Sequence, residues 1–295
     1  MKTSDLLAFG FTGVPFLFVI AMTMQVPKYD PWAMGEDGPK GDQRSVLDTT
    51  LPDRWGSIKL DGKPLDDATS GTIVVKAMWG EDKIPLQTPI DMSAFKNCAS
   101  PLPVFKEAAQ VNPDRSVPWV FAYVSKGLAS GLDYGKPRPE QVEQLGCVYR
   151  PHVLGLYAKQ ELWIQNAEPK EGHNVKGMKG GTTLFNDAQS ALGPTLMQSL
   201  TPNMGYSLQC EIHPWMKAWV NVLDHPYFAT TQNTYKNDEK GVATAEVASC
   251  LGEIKRLPPG DYTLTAWHPS FGADPVAVKV VAGQKVEIVF SVKSR

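Results

Sequence analysis

Cysteine is scarce in this chain, four in 295 residues. So few exclude a disulfide-dense scaffold, and no C-x-x-C-H run exists to attach a c-type haem. No H-x-H pair occurs either, so the clustered histidines of a multicopper oxidase are missing. Charge of one sign is lacking too. The formal net charge is −2 and Lys and Arg form no long cluster, which argues against a nucleic-acid partner. Long helices are disfavoured by 25 Gly and 24 Pro, which punctuate the chain with turns.

One long uncharged stretch is present, from Leu6 to Pro27. It matches the roughly 20 apolar residues that span a bilayer as a helix. The only base before it is Lys2, offset by Asp5, and no A-x-A cleavage site follows, so it reads as an uncleaved anchor rather than a signal peptide. Gly10, Gly13 and Pro15 suit a helix packed against other membrane helices. The expected placement is a single pass through the cytoplasmic (inner) membrane, with the bulk of the chain periplasmic. Residues 28–70, broken by Pro31, Pro39 and several Gly, read as an extracytoplasmic tether with at most a short ordered piece near Trp55.

Beyond it the chain is predominantly β. Strands are expected at 71–79, 119–124, 148–157, 160–166, 205–209 and 217–223, with short helical pieces at 105–109 and 137–146 and a long excursion over 176–204. From 224 onward five further strands and the turn Pro258-Pro259-Gly260-Asp261 describe a compact all-β module. Its strand count is low for independence, and the strand at 71–79 is a candidate to complete it.

The chemistry concentrates in Cys210-Glu211-Ile212-His213-Pro214-Trp215-Met216, with His173 upstream in Gly172-His173-Asn174-Val175. Two imidazoles, one thiol and one thioether are the donor set of a mononuclear blue-copper centre, in which a His-His-Cys plane carries a long axial Met. A two-copper thiolate site would need a second cysteine in the loop. His152, His225 and His268 read as ordinary buried or hydrogen-bonded histidines. Trp215 and Pro214 either form an apolar docking patch around His213 or pack against their own domain. An exported domain favours disulfides, so Cys98 and Cys147 are expected to pair and Cys250 to stay free.

These residues resemble a known family. His173-Asn174-Val175 and Cys210-x-x-His213-Pro214-x-Met216 resemble the ligand strand and ligand loop of cupredoxins, amicyanin-like in loop length. A longer resemblance, to bacterial membrane-associated plastocyanin-like proteins, is carried by Gly146-Cys147-Val148-Tyr149-Arg150-Pro151-His152-Val153, Asp224-His225-Pro226-Tyr227-Phe228 and Leu257-Pro258-Pro259-Gly260-Asp261-Tyr262. It covers about residues 71–295 and implies a Greek-key cupredoxin sandwich over 71–223 and a carboxypeptidase-regulatory-like β-sandwich over 224–295. It further implies that His173, Cys210, His213 and Met216 hold one copper ion, with Asn174 tying the two ligand segments together. The implied role is electron transfer between redox protein partners, without catalysis and without a small-molecule substrate. The alternative is an accessory structural subunit of a membrane-embedded respiratory or photosynthetic complex.

Overall fold

The computed structural model describes residues 54–56, 58–98, 104–136, 138–158, 160–237 and 243–295. The anchor expected at 6–27 and the first part of the tether lie outside these residues. Among the described residues no helix is long and apolar enough to cross a membrane. The regular structure is strand, with two short 3-10 turns at Lys96–Cys98 and Glu107–Ala109.

Two sandwiches share the chain. In the first, a five-stranded sheet runs in the order Thr182–Gln189, His173–Lys179, Asn203–Gln209, Lys217–Leu223 and Val153–Tyr157. Facing it is a four-stranded sheet ordered Leu196–Gln198, Leu162–Asn166, Glu140–Gln144 and Tyr149–Arg150. Val142, Tyr149, Leu162 and Ile164 from one sheet meet Leu156, Val175, Leu208, Ala218 and Val220 from the other. In the second sandwich, Phe228–Thr230, Phe121–Lys126, Gly260–Trp267 and Val276–Val280 form one sheet. The other is Gln232–Asn237, Ala243–Leu257, Gly71–Trp79, Lys285–Ser294 and Phe271–Ala273.

This strand order corrects the division at residue 71. Gly71–Trp79 pairs in parallel with Lys285–Ser294 and antiparallel with Ala243–Leu257. Phe121–Lys126 pairs with Gly260–Trp267. Both strands therefore serve the C-terminal sandwich, and the sandwich carrying the ligand motifs is inserted between Leu132–Asp133 and Phe228–Thr230. The strand at 71–79 was a candidate to complete the C-terminal module, and alternation explains why the sequence could not decide it. Ile73, Val75, Ala77 and Trp79 are buried in turn, a pattern that says which face is covered but not which strand lies alongside.

Two further expectations change. The helix expected at 137–146 is the strand Glu140–Gln144. Its Glu and Gln residues favour a helix in isolation, but Val142 and Gln144 alternate into the core and pairing with Leu162–Asn166 prevails. The excursion over 176–204 is largely a hairpin, Lys179 pairing with Thr182 across Gly180-Gly181, both at positive φ. The end of the tether is also packed rather than free. Ile58 and Leu65 join the core of the C-terminal sandwich, and Lys59–Leu60 pairs with Leu132–Asp133.

Val153–Tyr157 is buried at every position. A strand covered on both faces loses the alternation of a half-exposed one. Leu154 and Leu156 face the ligand-bearing core, while Val153 and Tyr157 join Phe121 and Phe228 of the other sandwich. Gly155 sits where any Cβ would lie 2.3 Å from Phe228 and 2.4 Å from Phe121, so the absence of a side chain lets the sandwiches meet.

Candidate metal centre

The loop expected to carry three donors is closed by the sheet beneath it. Gln209 pairs with Lys217. Beyond that pair Cys210 donates its N–H to Met216 O at 3.2 Å, and Met216 donates to His213 O at 2.9 Å. Seven residues are thus folded into a turn that aims Cys210 and His213 inward. His173 opens the neighbouring strand, whose register sets Lys176 opposite Gln209. Carried past that pair, the register puts Asn174 level with Glu211. Asn174 Oδ1 accepts the Glu211 N–H at 2.7 Å and the Cys210 thiol at 3.4 Å, and Asn174 Nδ2 donates to Asn186 at 2.8 Å. Tyr149 holds the same strand by donating its hydroxyl to Asn174 O at 3.0 Å.

Three of the four expected donors converge. His173 Nδ1 and His213 Nδ1 are 3.0 Å apart, and Cys210 Sγ lies 4.0 Å from the first and 3.7 Å from the second. Metal bonds of about 2.0 to 2.3 Å place neighbouring donor atoms about 3.5 Å apart, so the cluster has the dimensions of a ligand set. All three residues are buried, His213 fully and His173 to within 1%. Met216, 1% exposed, sits in the same apolar cluster as Cys210. His173 Nε2 is buried without a hydrogen-bond partner. Two imidazoles, a thiol and a thioether form a soft donor set that fits copper.

The donors are electrostatically coupled to one another. Burial opposes a charged His173, but the Cys210 sulfur and the Glu168 carboxylate outweigh it and push its pKa up to about 9. Burial likewise opposes a Cys210 thiolate, yet His173, Asn174 and the loop N–H groups bring that thiol below its ordinary value. His213 is lowered, by burial first and the neighbouring His173 second.

The surroundings of His213 were not legible in the sequence. Cys98 and Cys147 form a disulfide, and Cys98 Sγ lies 3.4 Å from His213 Nε2. Phe95 packs on the His213 ring at 4.9 Å and on Trp215 at 5.0 Å. Trp215 donates its indole N–H to Cys147 O at 2.9 Å, so it packs against its own domain. Ile212 and Pro214 remain exposed. Cys147 has φ +53°, a left-handed conformation that follows Gly146 in a hairpin turn. That turn presents the Cys147 carbonyl to Trp215 and its N–H to Glu168. Glu168 and Glu171 also went unnoticed. Their positions five and two residues before His173, in the loop that delivers it, were the available signal.

The other histidines stand apart from this cluster. His152 Nδ1 bonds Lys217 O at 2.8 Å. His268 Nδ1 accepts the N–H groups of Ser270 and Phe271, each at 3.2 Å. His225 Nδ1 accepts from Tyr227 N at 3.2 Å. Cys250 is free and buried.

No family model matches the sequence, and no curated protein matches it. Among solved structures, similar ones include a copper-containing nitrite reductase from Thermus scotoductus, 21% identical, with a TM-score of 0.27 over 33% of this chain and 25% of that one. This chain thus spans a quarter of that protein's length. A purple cupredoxin from Nitrosopumilus maritimus is 20% identical, with a TM-score of 0.25 over 28% of this chain and 97% of that one. Amicyanin from Paracoccus versutus is 19% identical, with a TM-score of 0.26 over 34% of this chain and 96% of that one. The assignment of the site stands on its own side chains: a buried His-His-Cys cluster with a methionine in the same core.

Proposed function

We propose that this chain is a mononuclear copper electron-transfer protein, anchored by residues 6–27 and working on the periplasmic face of the cytoplasmic membrane. The observation that carries this copper reading is the convergence of His173 Nδ1, His213 Nδ1 and Cys210 Sγ within 4.0 Å among buried side chains. In this reading His173, Cys210 and His213 would hold the ion, with Met216 as a fourth, thioether donor. Bound there, copper supplies a one-electron couple. The chain's own residues keep the donors in place through oxidation and reduction. Asn174 ties the His173 strand to the Cys210 loop, and the N–H bond from Cys210 to Met216 O closes that loop. Support from residues behind the ligands is what orients such sites.

One observation favours a second reading. The outer edge of His213 is covered by the chain's own Phe95, Trp215 and Cys98. A partner cannot touch that imidazole directly, as suits a subunit held inside a larger membrane complex. The two readings part on copper. Metal analysis of the purified full-length chain should give about one copper per chain, and Cys210→Ser should remove it while leaving the fold intact. A chain that takes up no copper after reconstitution overturns the electron-transfer reading and leaves the structural one.

A further inference from the structure

The nitrogens of His173 and His213 that point away from the cluster face carboxylates. Glu168 Oε1 lies 3.9 Å from His173 Nε2, and Glu171 Oε1 lies 3.7 Å from His213 Nε2. Both come from the loop between Leu162–Asn166 and His173–Lys179. Glu168 is a built feature rather than a surface residue. It is 4% exposed, its carboxylate accepts the Cys147 N–H at 2.6 Å, and its own N–H donates to Asn166 Oδ1 at 2.9 Å. Glu171 is held by Asn97, which donates to Oε2 at 2.8 Å from the segment that also supplies Phe95 and Cys98. Among the described residues neither carboxylate has a Lys or Arg within ion-pair distance, whereas exposed Glu211 is paired with Lys176 at 2.7 Å.

We infer that Glu168 and Glu171 are positioning residues that set the one-electron potential of the site, one fixed negative charge behind each ligand imidazole. The inference rests on the copper reading and deepens it. At 3.7 and 3.9 Å these contacts act through charge rather than a hydrogen bond, and a negative charge that close makes an imidazole more basic. A buried charge is also poorly screened by salt or solvent. Both effects favour Cu(II) over Cu(I), because the extra positive charge is the one the carboxylates stabilise. The potential is therefore held below what the same four donors would give in an apolar setting. Glu168, the more deeply buried, carries the larger share.

The test measures Cu(II) and Cu(I) affinities and the reduction potential of the full chain, with Glu168→Gln, Glu171→Gln and Glu168→Ala beside the wild type. Glutamine keeps an oxygen to accept the Cys147 N–H while removing the charge. Glu168→Gln should lower the Cu(II)-to-Cu(I) affinity ratio about tenfold, which for one electron raises the potential by about 59 mV. Glu171→Gln should move both in the same direction by less. Glu287→Gln in the C-terminal sandwich should move neither. A wild type that shows the thiolate-to-copper band, with a ratio that Glu168→Gln leaves unchanged, overturns this inference alone. A shift seen in Glu168→Ala but absent in Glu168→Gln also overturns it, because the role is then packing. A wild type that forms no such band overturns the copper reading and this inference with it.

Discussion

The two sandwiches are built from similar strands but bury different things. The C-terminal one encloses an apolar core of Ile73, Val75, Leu264, Ile254, Phe290 and their neighbours, and its strands alternate in burial, as in Lys285–Ser294. The inserted one buries Gln144, Asn166, Glu168, His173, Asn174, Gln189, His213 and Asn221. Burying polar groups is costly unless each is paired, and here most are. Gln144 donates to Gln189, and Asn166 donates to the carbonyls of Glu171 and Ser190. The polar atoms left over include Nε2 of His173. The C-terminal sandwich buries fewer polar side chains, among them Asn112, Ser116, Thr231 and His268, whereas the inserted one adds to its own apolar core a cluster held by directed bonds. Binding residues work best when their rotamers are locked by such packing and hydrogen bonding.

Loss of a covalent tie should disturb that contrast most. The Cys98–Cys147 disulfide spans 49 residues of sequence and ties the segment over His213 to the inserted sandwich. Replacing both cysteines by alanine should cost about 4 kcal/mol by chain-entropy arithmetic, visible in chemical denaturation, and should expose the His213 edge to solvent. Next in size is the joint between the sandwiches. Gly155→Val should cost about 3 kcal/mol through overpacking against Phe121 and Phe228. Limited proteolysis should then cut between sandwiches that unfold separately. Asn174→Ala comes third. Losing its bonds to Glu211 N, Cys210 Sγ and Asn186 should cost about 2 kcal/mol, and the Cys210 loop should show faster amide exchange.

Acid acts on a buried histidine in each sandwich rather than on one contact. Burial, the first cause in each case, lowers His152 from 6.5 to about 4 and His268 from 6.5 to about 3. Glu107 Oε2, 3.5 Å from His152 Nδ1, is the facing carboxylate. Because the unfolded chain takes up these protons first, stability falls as pH drops below about 6.5 and continues to fall toward the folded values. The slope is about 1.4 kcal/mol per pH unit for each histidine. Thermal unfolding between pH 7 and pH 4 should show it, and His152→Gln should flatten the curve.

How much of this was legible beforehand follows from the range of each interaction. The ligand loop was readable because Cys210, His213 and Met216 are neighbours in sequence, and the strand Lys217–Leu223 because its apolar residues alternate. Counting cysteines gave one disulfide and one free thiol, and the Cys98–Cys147 pairing was the expectation for an exported domain. Its place against His213 was not legible, because that contact joins residues 115 positions apart. The membership of Gly71–Trp79 could be raised but not decided for a similar reason, since its parallel partner begins at Lys285. Gly155 was invisible because its importance lies in two rings from another sandwich. Glu168 and Glu171 read as loop carboxylates until the loop was seen folded back onto the imidazoles.

The central claim, that His173, Cys210, His213 and Met216 form one copper site, is tested most directly by titrating Cu(II) into the metal-free full chain and following its visible absorption. An intense thiolate-to-copper band that saturates at about one equivalent, and is absent in Cys210→Ser, is the expected result. A titration that gives no such band, or one that Cys210→Ser leaves unchanged, would contradict it.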